Sequence, residues 1–151
     1  TMNLIKKIGN KTIILYIGEL DYKPKIKTDY VSITQPISKV NENMIFVDAI
    51  TATKKIPPIL KNCIFVSSPN ALTELRLAIK SLFYEKFCEI VIFDDVTSMK
   101  HYNDLEELTS FLNSIIEIAR ESNKKLVLIL KKDSNELIND LIMFSDIIIQ
   151  P

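Results

Sequence analysis

CIFVSSPNALTELRLAIKSLFYEKFCEIVIFDD, from Cys63 to Asp95, reads as strand, helix, strand. Its flanks, Cys63-Ile-Phe-Val-Ser67 and Ile90-Val-Ile-Phe93, are continuous apolar runs rather than alternating ones. Runs of that kind mark strands covered on both faces, as in a parallel sheet. Between them Leu72, Leu75, Ile79, Leu82 and Phe83 fall on one stripe of a helix from Ala71 to about Lys86. Ser68-Pro69-Asn70 stands ahead of that helix and offers capping side chains.

The same alternation continues downstream. Leu105, Leu108, Phe111, Leu112, Ile115, Ile116 and Ala119 give three-four spacing over a helix from about Asp104 to Glu121. Asn103 and Glu106 resemble a capping box at its start. Leu126–Leu130 is a further strand, and Ser134, Leu137, Ile138, Leu141 and Ile142 mark a shorter helix. Asp146–Gln150 is the last strand. Strands alternating with helices imply right-handed parallel crossovers.

Upstream, Lys11–Gly18, Tyr30–Thr34 and Met44–Asp48 are three more apolar runs. The stretch between Gly18 and Asp29 is only about ten residues and contains Pro24, whereas a crossover with its own helix needs about a dozen. Gln35–Asn43 has room for one helical turn after Pro36, and Thr51–Asn62, with Pro57-Pro58, reads as a loop. The expectation is one α/β domain over residues 1–151. It has three layers, a mainly parallel sheet with helices on both faces, and a truncated first crossover.

Composition narrows the function classes. Hydrophobic residues make up 47% and charged residues 25%, a globular profile. Nineteen basic residues balance 19 acidic ones, which argues against a nucleic-acid partner. Lys23, Lys25 and Lys27 form the best local basic patch and read as solvated loop lysines. His101 is the sole histidine, and Cys63 and Cys88 lack metal-ligand spacing. Two unpaired thiols suit a reducing compartment. No apolar run approaches the roughly 20 residues that span a bilayer. A cytoplasmic protein away from membranes is the expectation.

Asp94-Asp95 at the end of a buried strand is the sharpest chemical signal. An acid there can hold Mg²⁺ or its waters beside a nucleotide. Acids also end many strands simply because the chain meets solvent. Ser67 and Ser68 open a helix, where backbone N–H groups bind anions, though capping is the commoner use. Asp48 ends a third strand, so Asp48, Ser67 and Asp94 are expected along one sheet edge. What is missing is a phosphate cradle. Glycine lets backbone N–H groups approach phosphates closely, and the chain holds only Gly9 and Gly18.

Val31-Ser-Ile-Thr-Gln-Pro36, Ile45-Phe-Val-Asp-Ala-Ile-Thr51, the Cys63–Leu75 segment and Ile90-Val-Ile-Phe-Asp-Asp-Val-Thr-Ser-Met99, in that order, resemble archaeal proteins of the RecA/KaiC-like P-loop ATPase group. The resemblance spans roughly residues 12–150. It implies a RecA-like fold with Ile90–Asp94 as the Walker B strand and Asp94 in the metal-facing place. The family's Gly-rich Walker A loop with Lys-Ser/Thr is replaced by Gly18-Glu-Leu-Asp-Tyr-Lys-Pro-Lys25. The chain therefore looks like a degenerate member with no catalytic residues and no cofactor. Asp94 and Asp95 remain weak metal candidates, and Ser67 and Ser68 weak cofactor-binding ones.

The leading expectation is a non-catalytic interaction or regulatory module. The alternatives are a nucleotide-dependent ATPase-like enzyme with an atypical site around Asp94, and a small-ligand sensor near Ser67. A two-component receiver domain is rejected, because its acids would have to follow the first strand. A partner is expected at the first strand, as a homodimer or with a related ATPase subunit. That strand is apolar on both faces, Ile13, Leu15 and Ile17 pointing one way and Ile14 and Tyr16 the other, and either Leu4–Ile8 folds back over the gap left by the missing helix or an apolar patch stays open for a second chain.

Overall fold

The computed structural model describes residues 4–20, 28–33, 44–85 and 88–151. All seven expected strands are present: β1 Ile13–Ile17, β2 Thr28–Ser32, β3 Phe46–Asp48, β4 Cys63–Phe65, β5 Ile90–Asp94, β6 Lys125–Leu130 and β7 Ile147–Ile149. They form one seven-stranded sheet in the order β4-β3-β2-β5-β6-β1-β7. Every pairing is parallel. Helices α1 Leu4–Ile8, α2 Leu72–Phe83, α3 Leu105–Ser122 and α4 Asn135–Ile142 complete a three-layer α/β arrangement, consistent with a RecA-like fold. Lys23, Lys25, Lys27 and the turn expected after Pro36 lie outside the described residues.

The helices are shared unequally between the two faces. The chain steps in one direction across the sheet from β4 to β5, β5 to β6 and β6 to β7. Right-handed crossovers then place α2, α3 and α4 on the same side. Their Leu75, Ile79, Leu112, Ile115, Leu137 and Leu141 share one core with Leu15, Val91 and Leu128 of the sheet. From β1 to β4 the chain steps the other way, and among the described residues no long helix enters this core from that half. On the opposite face, Ile8 of α1 packs with Ile14, Tyr16, Ile92, Val127 and Ile129.

That packing decides between the two covers considered for β1. Tyr16 is 4% exposed and Ile14 wholly buried, with Ile8 against them. The open patch expected to seat a second chain is therefore closed, and the fold-back of Leu4–Ile8 is what the structure has. Expected burial on both sides also fails at β4. Ile64 is 37% exposed, because β4 is an edge strand with one neighbour.

Helix starts differ from expectation as well. Asp104, not Asn103, caps α3, and its carboxylate accepts from the Glu107 N–H at 2.9 Å. The Asn103 amide instead donates to the Pro69 and Met99 carbonyls, at 3.1 and 3.2 Å. At its far end α3 stops at Asn123 in the left-handed conformation, φ 58°. Both glycines sit at positive φ, Gly9 just past α1 at 54° and Gly18 just past β1 at 130°. They serve backbone exits that a side chain would strain.

Asp146 ties the α4–β7 connection to the start of β1. Its Oδ2 accepts from the Thr12 and Ile13 N–H groups at 3.0 and 2.9 Å, and Arg120 stands 3.1 Å from Oδ1. Burial alone would raise its pKa, but Arg120 and the two N–H donors outweigh burial and hold it below the usual 3.8. A carboxyl lowered in this way stabilises above its unfolded pKa, and loses that stabilisation as pH falls through the folded one. Asp146→Asn is thus expected to lower the melting temperature at pH 7, with the gap to wild type closing as pH drops below about 4. A gap of constant size from neutral to strongly acid pH in thermal scans would contradict this role.

Candidate functional site

The carboxyl ends of the strands form the edge where ligands gather in open α/β sheets. Ser32 of β2 is in register with both Asp48 of β3 and Asp94 of β5, so the two acids flank it along this edge. Ser67 and Ser68 follow β4, Lys131 follows β6 and Glu19 follows β1. The sequence reading placed Asp48, Ser67 and Asp94 on one edge, and the parallel topology puts them there.

Their side chains, however, bond to their own surroundings. Asp48 is fully buried. Its Oδ1 accepts from the Ile50 and Thr51 N–H groups at 2.9 Å, and its Oδ2 from the Thr51 hydroxyl at 2.6 Å. This is a carboxylate closing a tight turn on itself. Asp95 caps the 3₁₀ turn Val96–His101. It accepts from the Thr97 N–H at 2.9 Å and from the Ser98 hydroxyl at 3.0 Å, with Lys131 Nζ 3.5 Å away. The Asp94–Asp95 peptide bond is cis.

Asp94 accepts a hydrogen bond from the Tyr30 hydroxyl. Burial pushes the Asp94 carboxyl above its usual range. The Tyr30 bond and Lys131 work against that rise, and the negative charges of Asp95 and Glu19 add to it. Burial and the same acid drive the Tyr30 phenol far above its ordinary value. Tyr30 thus stays protonated as a donor, and one oxygen of Asp94 is committed to it. An ion such as Mg²⁺ needs carboxylate oxygens free for it or for its waters. Sequence reasoning missed Tyr30, Glu19 and Lys131 as neighbours of Asp94. Tyr30 lies 64 positions away and reads locally as one more strand residue.

The serines are likewise engaged. Ser67 donates from its N–H and its hydroxyl to the two oxygens of Glu74, at 3.1 and 2.7 Å. The Ser68 hydroxyl bonds the Asn70 side chain. Neither caps α2, whose N-cap is Ala71 with no side-chain bond. The side chains of Ser68 and Asn70, expected to cap α2, do not do so. Glu74 in the first turn reaches back to the loop, so the closure runs from helix to loop. Thr97 and Ser134 share a hydroxyl contact at 2.6 Å, and Thr97 also accepts from the Lys131 N–H at 2.9 Å.

Among the described residues, no three His, Cys, Asp or Glu side chains are grouped to hold a metal ion. An open groove of about 710 Å³ runs between α2 and α3, lined in part by Leu72, Arg76, Asp104, Glu107 and Phe111. Ser67 and Ser68 are not in its lining. Among the described residues no helix is long and apolar enough to cross a membrane. No protein-family model matches the chain, and no curated protein matches it.

Proposed function

We propose that this chain is a non-catalytic interaction or regulatory module, a degenerate RecA/KaiC-like domain of archaeal type that works in the cytoplasm. The observation that carries the reading is the state of the carboxyl edge. Asp48, Asp94, Asp95, Ser67 and Ser68 all spend polar atoms on internal hydrogen bonds. Glu19 follows β1, in the segment that would hold the cradle, and its charge adds to that of Asp94 and Asp95. Like charge repels a triphosphate most strongly where water is partly excluded. The cytoplasmic assignment rests on two free thiols, Cys63 and Cys88.

The partner in this reading is a second copy or a related ATPase subunit. With the β1 face covered, contact falls to the sheet's margins. Ile56 and Ile59 ahead of β4 are almost wholly exposed, and Met143 and Ile148 are exposed near β7. Exposed apolar groups of this size favour association. Light scattering on the purified chain, paired with native co-purification and mass identification, tests this. The expected result is a mass about twice the 17.3 kDa chain, or a stoichiometric larger subunit. A monomer at high concentration that co-purifies with nothing contradicts it.

A further inference from the structure

The connection from β3 to β4 carries the most exposed large apolar side chains among the described residues. Ile56 is 93% and Ile59 102% exposed. They flank Pro57-Pro58, within residues 56–60 that belong to no helix or strand. Two prolines fix φ and keep such a segment extended, so it loses little chain freedom on docking. Lys54, Lys55 and Lys61 stand at its two ends, all exposed, and no acid lies between Thr51 and Cys63. The segment is a short apolar ridge with basic ends. Its counterpart is the groove of about 710 Å³ between α2 and α3. Leu72 and Phe111 give that groove apolar lining, and Asp104, Glu106 and Glu107 line it from the α3 side. The single cation of the lining is Arg76, whose Nε donates to the Ser114 hydroxyl. Three acids against one base leave the groove net negative. Its volume is that of a cleft for a few side chains, not for a folded domain. The ridge of the same chain does not fill it. The chain steps from β3 to β4 in the direction opposite to its steps from β4 to β5 and from β5 to β6. Right-handed crossovers then put the connection on the face opposite α2 and α3.

We propose that the Lys54–Lys61 segment of one copy docks in the α2–α3 groove of a second copy, with its isoleucines against Leu72 and Phe111 and its lysines beside Asp104, Glu106 and Glu107. The inference rests on the second-copy form of the association proposed above and names the two surfaces that meet. Burial of Ile56 and Ile59 supplies affinity. The opposite charges set register and speed encounter, which makes the contact sensitive to salt. Ridge and groove are different patches, so two copies close on each other when each ridge enters the other's groove.

Sedimentation equilibrium of the full chain at low salt tests the pairing by charge reversal. One variant combines Lys54→Glu, Lys55→Glu and Lys61→Glu, and the other combines Glu106→Lys and Glu107→Lys. All five side chains are exposed. Each variant alone should raise the dissociation constant by about tenfold or more, because like charges then face each other. An equimolar mixture of the two should recover association, since each ridge again meets a groove of opposite sign. Ile56→Ser with Ile59→Ser should weaken association with no change of charge. Wild type that associates while the reversals leave its mass unchanged, or a mixture that does not recover, overturns this docking and leaves the proposed function standing. A monomeric wild type that holds a larger subunit does the same, whereas a monomer that holds nothing removes both. Wild-type binding to phosphatidylserine vesicles that the lysine reversal abolishes and the glutamate reversal spares, without self-association, would give the ridge to a lipid surface and overturn the docking. If the glutamate reversal does not fold, dilution-dependent amide shifts of the wild-type chain decide. They are expected at both the ridge and the groove, and shifts confined to other surfaces overturn the proposal.

Discussion

Leu112→Ala is expected to lower the free energy of unfolding by about 2–5 kcal/mol. Leu112 lies on the inner stripe of α3, is wholly buried, and belongs to the core between the helices and the sheet. Truncation removes apolar contact and leaves a cavity that close-packed neighbours fill only in part. Phe111 beside it is held edge-on to Phe93 of β5 at 6.4 Å between ring centres, and Ile115 and Ile116 are buried one turn on. This wall has little freedom to collapse. Glu117 is exposed on the same helix, and Glu117→Ala should cost less than about 0.5 kcal/mol. Urea unfolding of the two variants is the check. Equal losses would mean that the face of α3 is misassigned.

Asp48→Ala is the second large effect, expected at about 3 kcal/mol. The substitution leaves the Ile50 and Thr51 N–H groups and the Thr51 hydroxyl without their acceptor. Buried donors stripped of partners cost about 1–3 kcal/mol each, less where one can turn to water. Asp48→Asn keeps a carbonyl oxygen for the two N–H groups and should cost less than half as much. The contrast separates a structural acid from a ligand-binding one. A ligand-binding acid would lose little stability in Asp48→Ala. Unfolding of that variant at the wild-type denaturant midpoint would contradict the structural role.

The strands were legible because a parallel sheet buried on both faces needs unbroken apolar runs, and Ile13–Ile17, Ile90–Phe93 and Leu126–Leu130 are such runs. The stripes of α2 and α3 were legible for the analogous reason. The division of helices between faces was not. It depends on the order in which strands enter the sheet, and no local pattern encodes that order. Caps were read one residue out at Asn103 and on the wrong side chains at Ser68 and Asn70. Neighbouring polar residues can each serve, and geometry chooses among them. Asp94 was placed correctly as a strand-end acid. Its meaning changed with Tyr30, which reaches it only because β2 and β5 are adjacent.

In the proposed reading the acid edge holds the fold together rather than a nucleotide. Calorimetric titration of the purified chain with ATP and Mg²⁺ tests it most directly. No saturable heat is expected up to about 1 mM ATP, a threshold of roughly −4 kcal/mol in binding free energy. Micromolar binding that disappears in Asp94→Ala would contradict it and make Asp94 the centre of a nucleotide site.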